Sequence, residues 1–198
     1  CRIACQNQLK GFEFLEGIPG TLGGALRMNA GAMGWETFDL VDWVSFLLPD
    51  GSIREIPGTD LEVGYRYCRE AYDGIALRAK LKSEGRSDHR AIRKVIDKLA
   101  SQRRATQPRE ASAGCIFRNP DDESAGLLID QAGLKGEREG AAVVSDLHAN
   151  FIINEGGASA EEVISLIKRV RDRVKESKGM MLEPEVDILG HSWKEFLS

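Results

Sequence analysis

No run of apolar residues approaches the ~20 that a membrane-crossing helix needs, so no membrane partner is expected. Nor is there a surplus of positive charge: 27 Lys and Arg face 31 Asp and Glu, for a net charge of −4. Phosphate-binding surfaces usually leave a basic excess, so nucleic acid is not an expected partner. Cysteine is sparse. Cys1 and Cys5 lack the second pair of a zinc ribbon, and Cys68 and Cys115 stand alone. Neither a metal site nor a disulfide framework is expected, and free thiols in a reducing cytosol are. A secretory signal, internal repeats and low-complexity segments are missing. So are the Walker loop and the G-x-G-x-x-G dinucleotide fingerprint. No initiator Met precedes Cys1, and the chain is expected to be an incomplete or processed product.

What is present is an ordinary globular composition. With 42% apolar and 29% charged residues over 198 positions, the chain is not disordered and has room for one large domain or two small ones. Six glycines fall between Gly17 and Gly34. The densest part reads Gly17-Ile18-Pro19-Gly20-Thr21-Leu22-Gly23-Gly24-Ala25, followed by Met28-Asn29-Ala30-Gly31. Composition alone leaves this open between tight turns and a backbone that approaches a ligand closely. Residues 40–48 predict a strand, Pro49-Asp50-Gly51-Ser52 a turn, and residues 52–56 the hairpin partner. Residues 75–81 alternate, predicting a strand with Ile75, Leu77, Ala79 and Leu81 inward. The polar stretch 83–88 predicts a domain boundary. Beyond it Ile92, Val95, Ile96 and Leu99 have helical spacing, after an N-cap at Ser87 or Asp88. Further on, the pattern predicts a short helix ended by Gly133, a buried strand at Phe151-Ile152-Ile153, a helix from a Ser159–Glu162 capping box to Gly179, and a last strand over 186–189. Eight Lys and Arg against two Asp lie between Arg86 and Arg109. This reads either as a solvated helix face or as an attraction for a diphosphate.

Several segments carry a more specific signal. In chain order they are the glycine stretch, Gly64-Tyr65-Arg66, Ser112-Ala113-Gly114-Cys115-Ile116-Phe117-Arg118-Asn119-Pro120, Ala132-Gly133-Leu134-Lys135-Gly136, His148-Ala149-Asn150-Phe151-Ile152-Ile153-Asn154 and Leu182-Glu183-Pro184-Glu185-Val186. Together they resemble the UDP-N-acetylenolpyruvoylglucosamine reductase (MurB) family over essentially the whole chain. The short interval between Arg66 and Cys115 resembles the family's compact type, which lacks an inserted substrate-covering loop. The resemblance implies an α+β fold class. Residues 1–82 would be the C-terminal half of an FAD-binding domain of the PCMH/VAO type, and residues 88–190 an α+β MurB C-terminal substrate domain. It implies a cytoplasmic, NADPH-dependent flavin oxidoreductase of peptidoglycan precursor synthesis, monomeric at full length. The reaction would be reduction of UDP-N-acetylglucosamine enolpyruvate to UDP-N-acetylmuramate. FAD contacts are implied for Gly17, Ile18, Pro19, Gly20, Thr21, Gly23, Gly24, Ala25, Asn29, Ala30 and Gly31. The family's chain begins well before Cys1, so the 198 residues by themselves are expected to bind FAD weakly or not at all and not to oxidise NADPH.

Reduction of an enolpyruvyl ether needs a group to stabilise the developing enolate and an acid to protonate the α-carbon. The resemblance gives Arg66 the first role, and a guanidinium can grip a carboxylate at two points. The residues alone would equally allow an ion pair with Glu62 or Glu70. Glu185 matches the family's active-site glutamate; otherwise it reads as an exposed strand carboxylate, like Glu183. Cys115 matches the proton donor, where most members carry serine. A thiol, with its ordinary pKa of about 8.5, surrenders a proton far more readily than an alkyl hydroxyl. A small buried hydrophobe is the plain alternative for this cysteine. Tyr65 and Asn119 match substrate contacts, although Tyr65 also suits a strand end. Thr106 stands where the family often has lysine, and Cys68 where it tends to have serine; Cys68 is given no catalytic role. His148 reads as structural. Two rivals remain: a cysteine-dependent hydrolase using Cys115, His148 and Glu185, and a non-catalytic UDP-sugar-binding remnant.

Overall fold

The computed structural model describes residues 1–121 and 123–197. Contacts divide them into two units, Cys1–Arg103 and the residues from Arg104 on. The first unit opens with α1 (Arg2–Gln6) and β1 (Leu9–Lys10) and continues through the glycine segment into α2 (Leu22–Arg27). Three antiparallel hairpins follow: β2 (Gly31–Ala32) with β3 (Trp35–Glu36), β4 (Val41–Leu47) with β5 (Ile53–Pro57), and β6 (Val63–Gly64) with β7 (Tyr67–Cys68). Next come α3 (Arg69–Asp73), β8 (Ile75–Leu81), β9 (Gly85–Arg86) and α4 (His89–Thr106), whose last turn passes the boundary.

The β4–β5 hairpin follows from its turn. Asp50 Oδ1 accepts from Ser52 N–H at 2.9 Å and from Ser52 Oγ–H at 2.6 Å, and Gly51 takes the φ of 80° the turn requires. β4 is the central strand of the sheet β5-β4-β8 and buries Val41, Val44 and Phe46 against Leu26, Leu61 and Cys68. β8 departs from the expected face. Ile75 and Leu77 are 62% and 49% exposed, whereas Ala76, Ala79 and Leu81 pack on the core. The register shift between Ser45 and Phe46, where Leu77 is the extra residue of β8, explains this, because a slip of one residue exchanges the two faces of a strand. The expected boundary over 83–88 also differs from the observed division after Arg103. Asp88 does start α4, with its Oδ1 accepting from Arg90 and Ala91 N–H. The helix then packs backwards: Ile92 and Ile96 bury against Cys5, and Leu99 packs on the Phe12–Phe14 cluster.

The second unit contains β10 (Ser112–Cys115), α5 (Ala125–Gln131), β11 (Arg138–Glu139), β12 (Ala142–Val144), β13 (Phe151–Asn154), α6 (Ala160–Lys178) and α7 (Trp193–Phe196). Its antiparallel sheet runs β10-β13-β12-β11. α6 forms as its sequence dictates. Ser159 and Glu162 cap each other reciprocally, Leu166, Ile167, Val170 and Val174 recur on the buried face, and Gly179 closes the helix at φ 70°. The strand expected over 186–189 is absent. Pro184 bridges Phe117, but the Val186 carbonyl accepts from Trp193 Nε1–H at 2.6 Å, and Leu189 is 94% exposed. An indole thus caps the carbonyl that a neighbouring strand would have used. Among the described residues, no helix is long and apolar enough to cross a membrane.

Candidate active site

The glycine segment is two turns followed by a short helix rather than one continuous loop. Gly17 and Gly20 take φ of 78° and 118°, which only glycine adopts without strain. Thr21 Oγ1 then accepts from Gly24 N–H at 3.2 Å and starts α2. Arg103, from α4, donates to the Gly17 carbonyl at 2.9 Å and lays its stem along the same glycine. Burial lowers the pKa of this guanidinium below its ordinary value. Of the other basic residues around α4, Arg90, Arg93, Lys94, Lys98 and Arg104 are exposed, and Arg93 pairs with Asp97 at 3.1 Å.

Beside this segment lies a cavity of about 740 Å³, mostly apolar in lining. Seven of the expected cofactor residues line it: Ile18, Pro19, Gly20, Thr21, Gly24, Ala25 and Ala30. A Cβ on Gly20 would meet no atom within 4 Å, so at this glycine the wall is bare backbone facing open space. A flat aromatic ring system can rest on such a wall at backbone distance, and the cavity is large enough to take one. The residues present therefore fit a flavin. The other four expected contacts are elsewhere. Gly17 carries the Arg103 bond, and Gly23 does not reach the lining. A Cβ on Gly31 would come within 2.7 Å of the Trp35 carbonyl, so this glycine is required by the β2–β3 hairpin. Asn29 is fully buried with φ 39°. Its Nδ2 donates to Glu36 Oε2 at 2.6 Å and to the Gly64 carbonyl at 3.2 Å, while its Oδ1 accepts from Phe38 N–H at 3.2 Å.

Tyr65 and Arg66 form the two-residue turn between β6 and β7. Arg66 is left-handed at φ 55°, with its guanidinium 4.8 Å from the Tyr65 ring centroid. Glu62 pairs with Arg69 at 2.9 Å, and the Glu70 carboxylate accepts from Glu62 N–H and from the Cys68 thiol. Cys68 is fully buried, and that burial raises its pKa, as for a packing thiol.

In the second unit, Gly114 at φ 84° sits in an irregularity of β10 immediately before Cys115. Such a bulge re-aims the side chain that follows it. Cys115 pairs across with Phe151 and is partly exposed. Glu185 N–H donates to the Ile116 carbonyl at 2.7 Å, and Arg118 N–H to the Glu183 carbonyl at 2.8 Å. Cys115 and Glu185 thus lie on adjoining extended segments. Asn119 Oδ1 accepts from Ala125 N–H at 3.1 Å, at the start of α5. The residue that sequence reasoning missed is Asn150. It is 2% exposed and acts as a substitute strand: Oδ1 accepts from Phe117 N–H at 2.9 Å and Nδ2 donates to the Phe117 carbonyl at 2.8 Å. Its place directly before the apolar run Phe151-Ile152-Ile153 was the available signal, since a buried amide needs partners. His148 is structural, as expected. Its Nδ1 accepts from Asn150 N–H at 3.3 Å, its ring meets Phe151 edge-on at 4.8 Å, and burial lowers its pKa.

The first unit thus carries an apolar cavity beside a glycine segment, with room for a flat cofactor, and the second carries a thiol and a carboxylate on neighbouring segments. Comparisons agree: residues 1–57 match the FAD binding domain family and residues 107–189 the C-terminal domain of UDP-N-acetylenolpyruvoylglucosamine reductase. The chain belongs to the UDP-N-acetylenolpyruvoylglucosamine reductase family. It is 46% identical over 192 residues to the Alkalilimnicola ehrlichii reductase, covering 96% of this chain and 64% of that one. To the Alkaliphilus oremlandii reductase it is 45% identical over 184 residues, covering 92% and 60%. The crystal structure of the Thermus caldophilus reductase superposes with a TM-score of 0.82 at 38% identity, over 94% of this chain and 66% of that one. The chain thus spans somewhat under two thirds of the length of the curated relatives it matches.

Proposed function

We propose that the protein reduces UDP-N-acetylglucosamine enolpyruvate to UDP-N-acetylmuramate in the cytoplasm, at a step of peptidoglycan precursor synthesis, with FAD in the first unit and the UDP-sugar in the second. The observation that carries this reading is the Cys115–Glu185 neighbourhood, tied by the Glu185 N–H to Ile116 carbonyl bond of 2.7 Å. FAD, when bound, would supply hydride transfer from NADPH to the β-carbon of the enolpyruvyl group. As that carbon gains hydride, an electron pair moves to the α-carbon and its carboxylate. Arg66 grips the carboxylate and stabilises this charge. Glu185 hydrogen-bonds the forming enolate. Cys115 gives its Sγ proton to the α-carbon and regains one from water. Tyr65 and Asn119 contact the substrate.

The test uses the full-length protein. It should purify with flavin absorbance and oxidise NADPH beyond one equivalent of flavin only when the enolpyruvyl substrate is present. Cys115→Ser, the family's usual residue, should retain substantial turnover. Cys115→Ala should leave reduction of the flavin by NADPH unchanged and block product formation. Colourless protein, or an alanine variant that slows flavin reduction itself, would overturn the reading.

A further inference from the structure

Asn29 was expected to face the cofactor, yet its side chain is wholly internal. At 0% exposure it uses three of its four hydrogen-bonding positions on protein groups. The two donor bonds go to different elements: Glu36 at the end of β3, and the carbonyl of Gly64 at the end of β6. Gly64 is followed directly by Tyr65 and Arg66. On its other side Asn29 adjoins Ala30, which lines the cavity. One buried amide thus spans from the cavity wall to the turn that presents Arg66.

A second strap runs parallel to it. Arg27, at the end of α2, donates to the Ala71 carbonyl at 3.0 Å and stacks 3.8 Å from the Tyr72 ring centroid. Gly64 and Ala71 flank Arg66 on either side in the chain. Arg27 is exposed and Asn29 is not, so the stronger tether is the buried one.

We infer that Asn29 is a positioning residue, holding the Tyr65–Arg66 turn in fixed register with the glycine wall rather than touching the cofactor. Its catalytic meaning rests on the reductase reading above. A hydride donor lying on the wall and a substrate whose carboxylate is held by Arg66 must be aligned to a fraction of an ångström. Asn29 is the covalently short route between the two, since one residue carries both the wall and the tether.

Asn29→Gly tests this, because glycine keeps the left-handed backbone while all three side-chain bonds are lost. Hydrogen exchange on the 198-residue chain should accelerate at least tenfold at amides 63–68 and stay within threefold across β4. Unchanged exchange at 63–68, or equal acceleration throughout the first unit, would overturn the tether. In the full-length protein loaded with FAD, the flavin spectrum, the FAD affinity and the rate of reduction by NADPH should remain within threefold. Reoxidation by the enolpyruvyl substrate should slow at least tenfold. A tenfold loss of FAD affinity would instead make Asn29 a direct cofactor contact and overturn the inference. If wild type itself never reoxidises with this substrate, the reductase reading fails, and the exchange experiment still decides the tether.

Discussion

Arg66 combines a demanding side chain with a backbone conformation that costs an L-residue about 1–2 kcal/mol. A turn with that φ is ordinarily filled by glycine or asparagine, so an arginine there carries backbone strain. Arg66→Gly and Arg66→Ala both remove the side chain, but only glycine relieves the strain. After the larger chain entropy of unfolded glycine is subtracted, the glycine variant should be more stable by about 0.5–1 kcal/mol in urea melts. Both should be inactive. His148 gives a pH signature. Its pKa is lowered in the folded state, so as pH falls through the ordinary value of about 6.5 the unfolded chain takes up a proton that the native one refuses. Stability should decline below about pH 6.5 and level off once the folded-state pKa is passed. His148→Asn can keep the acceptor for Asn150 N–H without titrating, and should flatten that part of the curve between pH 7 and 5.

At the scale of elements, β10 is held on one side by β13 and continues past Cys115 into a segment clamped by Asn150. Asn150→Ala would leave a buried N–H and a buried carbonyl unpaired, at a cost of about 2–3 kcal/mol, measurable by denaturant titration. Asn150→Asp would restore the acceptor but set a carboxylate against the Phe117 carbonyl, so it should not recover the loss. The contrast between such elements explains what the sequence made legible. α6 could be read because its signals are local: a capping box, a periodic face and a closing glycine, all between Ser159 and Gly179. The β4–β5 turn was readable for the same reason. The inward face of β8 was not, because its register depends on bulges against β4 that leave no mark in its own alternation. The segment 186–189 looked like a strand, and its fate was decided by Trp193, whose indole took the available carbonyl. In the glycine segment Gly20, Thr21 and Gly24 line the cavity, but the motif marks all its residues alike. It could not distinguish Asn29 and Gly31, whose reasons for being there lie in Gly64 and Trp35.

In the whole molecule, each unit carries its own buried cluster, one around Val44 and Phe46, the other around Ile129, Leu166 and Val174. Calorimetric unfolding should therefore resolve two transitions rather than one. Leu166 is fully buried, and Leu166→Ala should destabilise its unit by about 3 kcal/mol, lowering one transition while leaving the other in place. The division after Arg103 was hidden from sequence reasoning because a polar stretch at 83–88 looks like a linker, and only packing reveals that the helix beyond it turns back. The bond from Arg103 to the Gly17 carbonyl also bears on how such proteins can be shuffled by recombination. A crossover in the polar stretch would give the hybrid a foreign α4. Its partner loop at Gly17 and its bed at Cys5 would come from the other parent, and the two would not have been selected together. A crossover just past Arg103 inherits loop, clamp and bed as one block, so the end of this helix is a better place for exchange than the polar stretch before it.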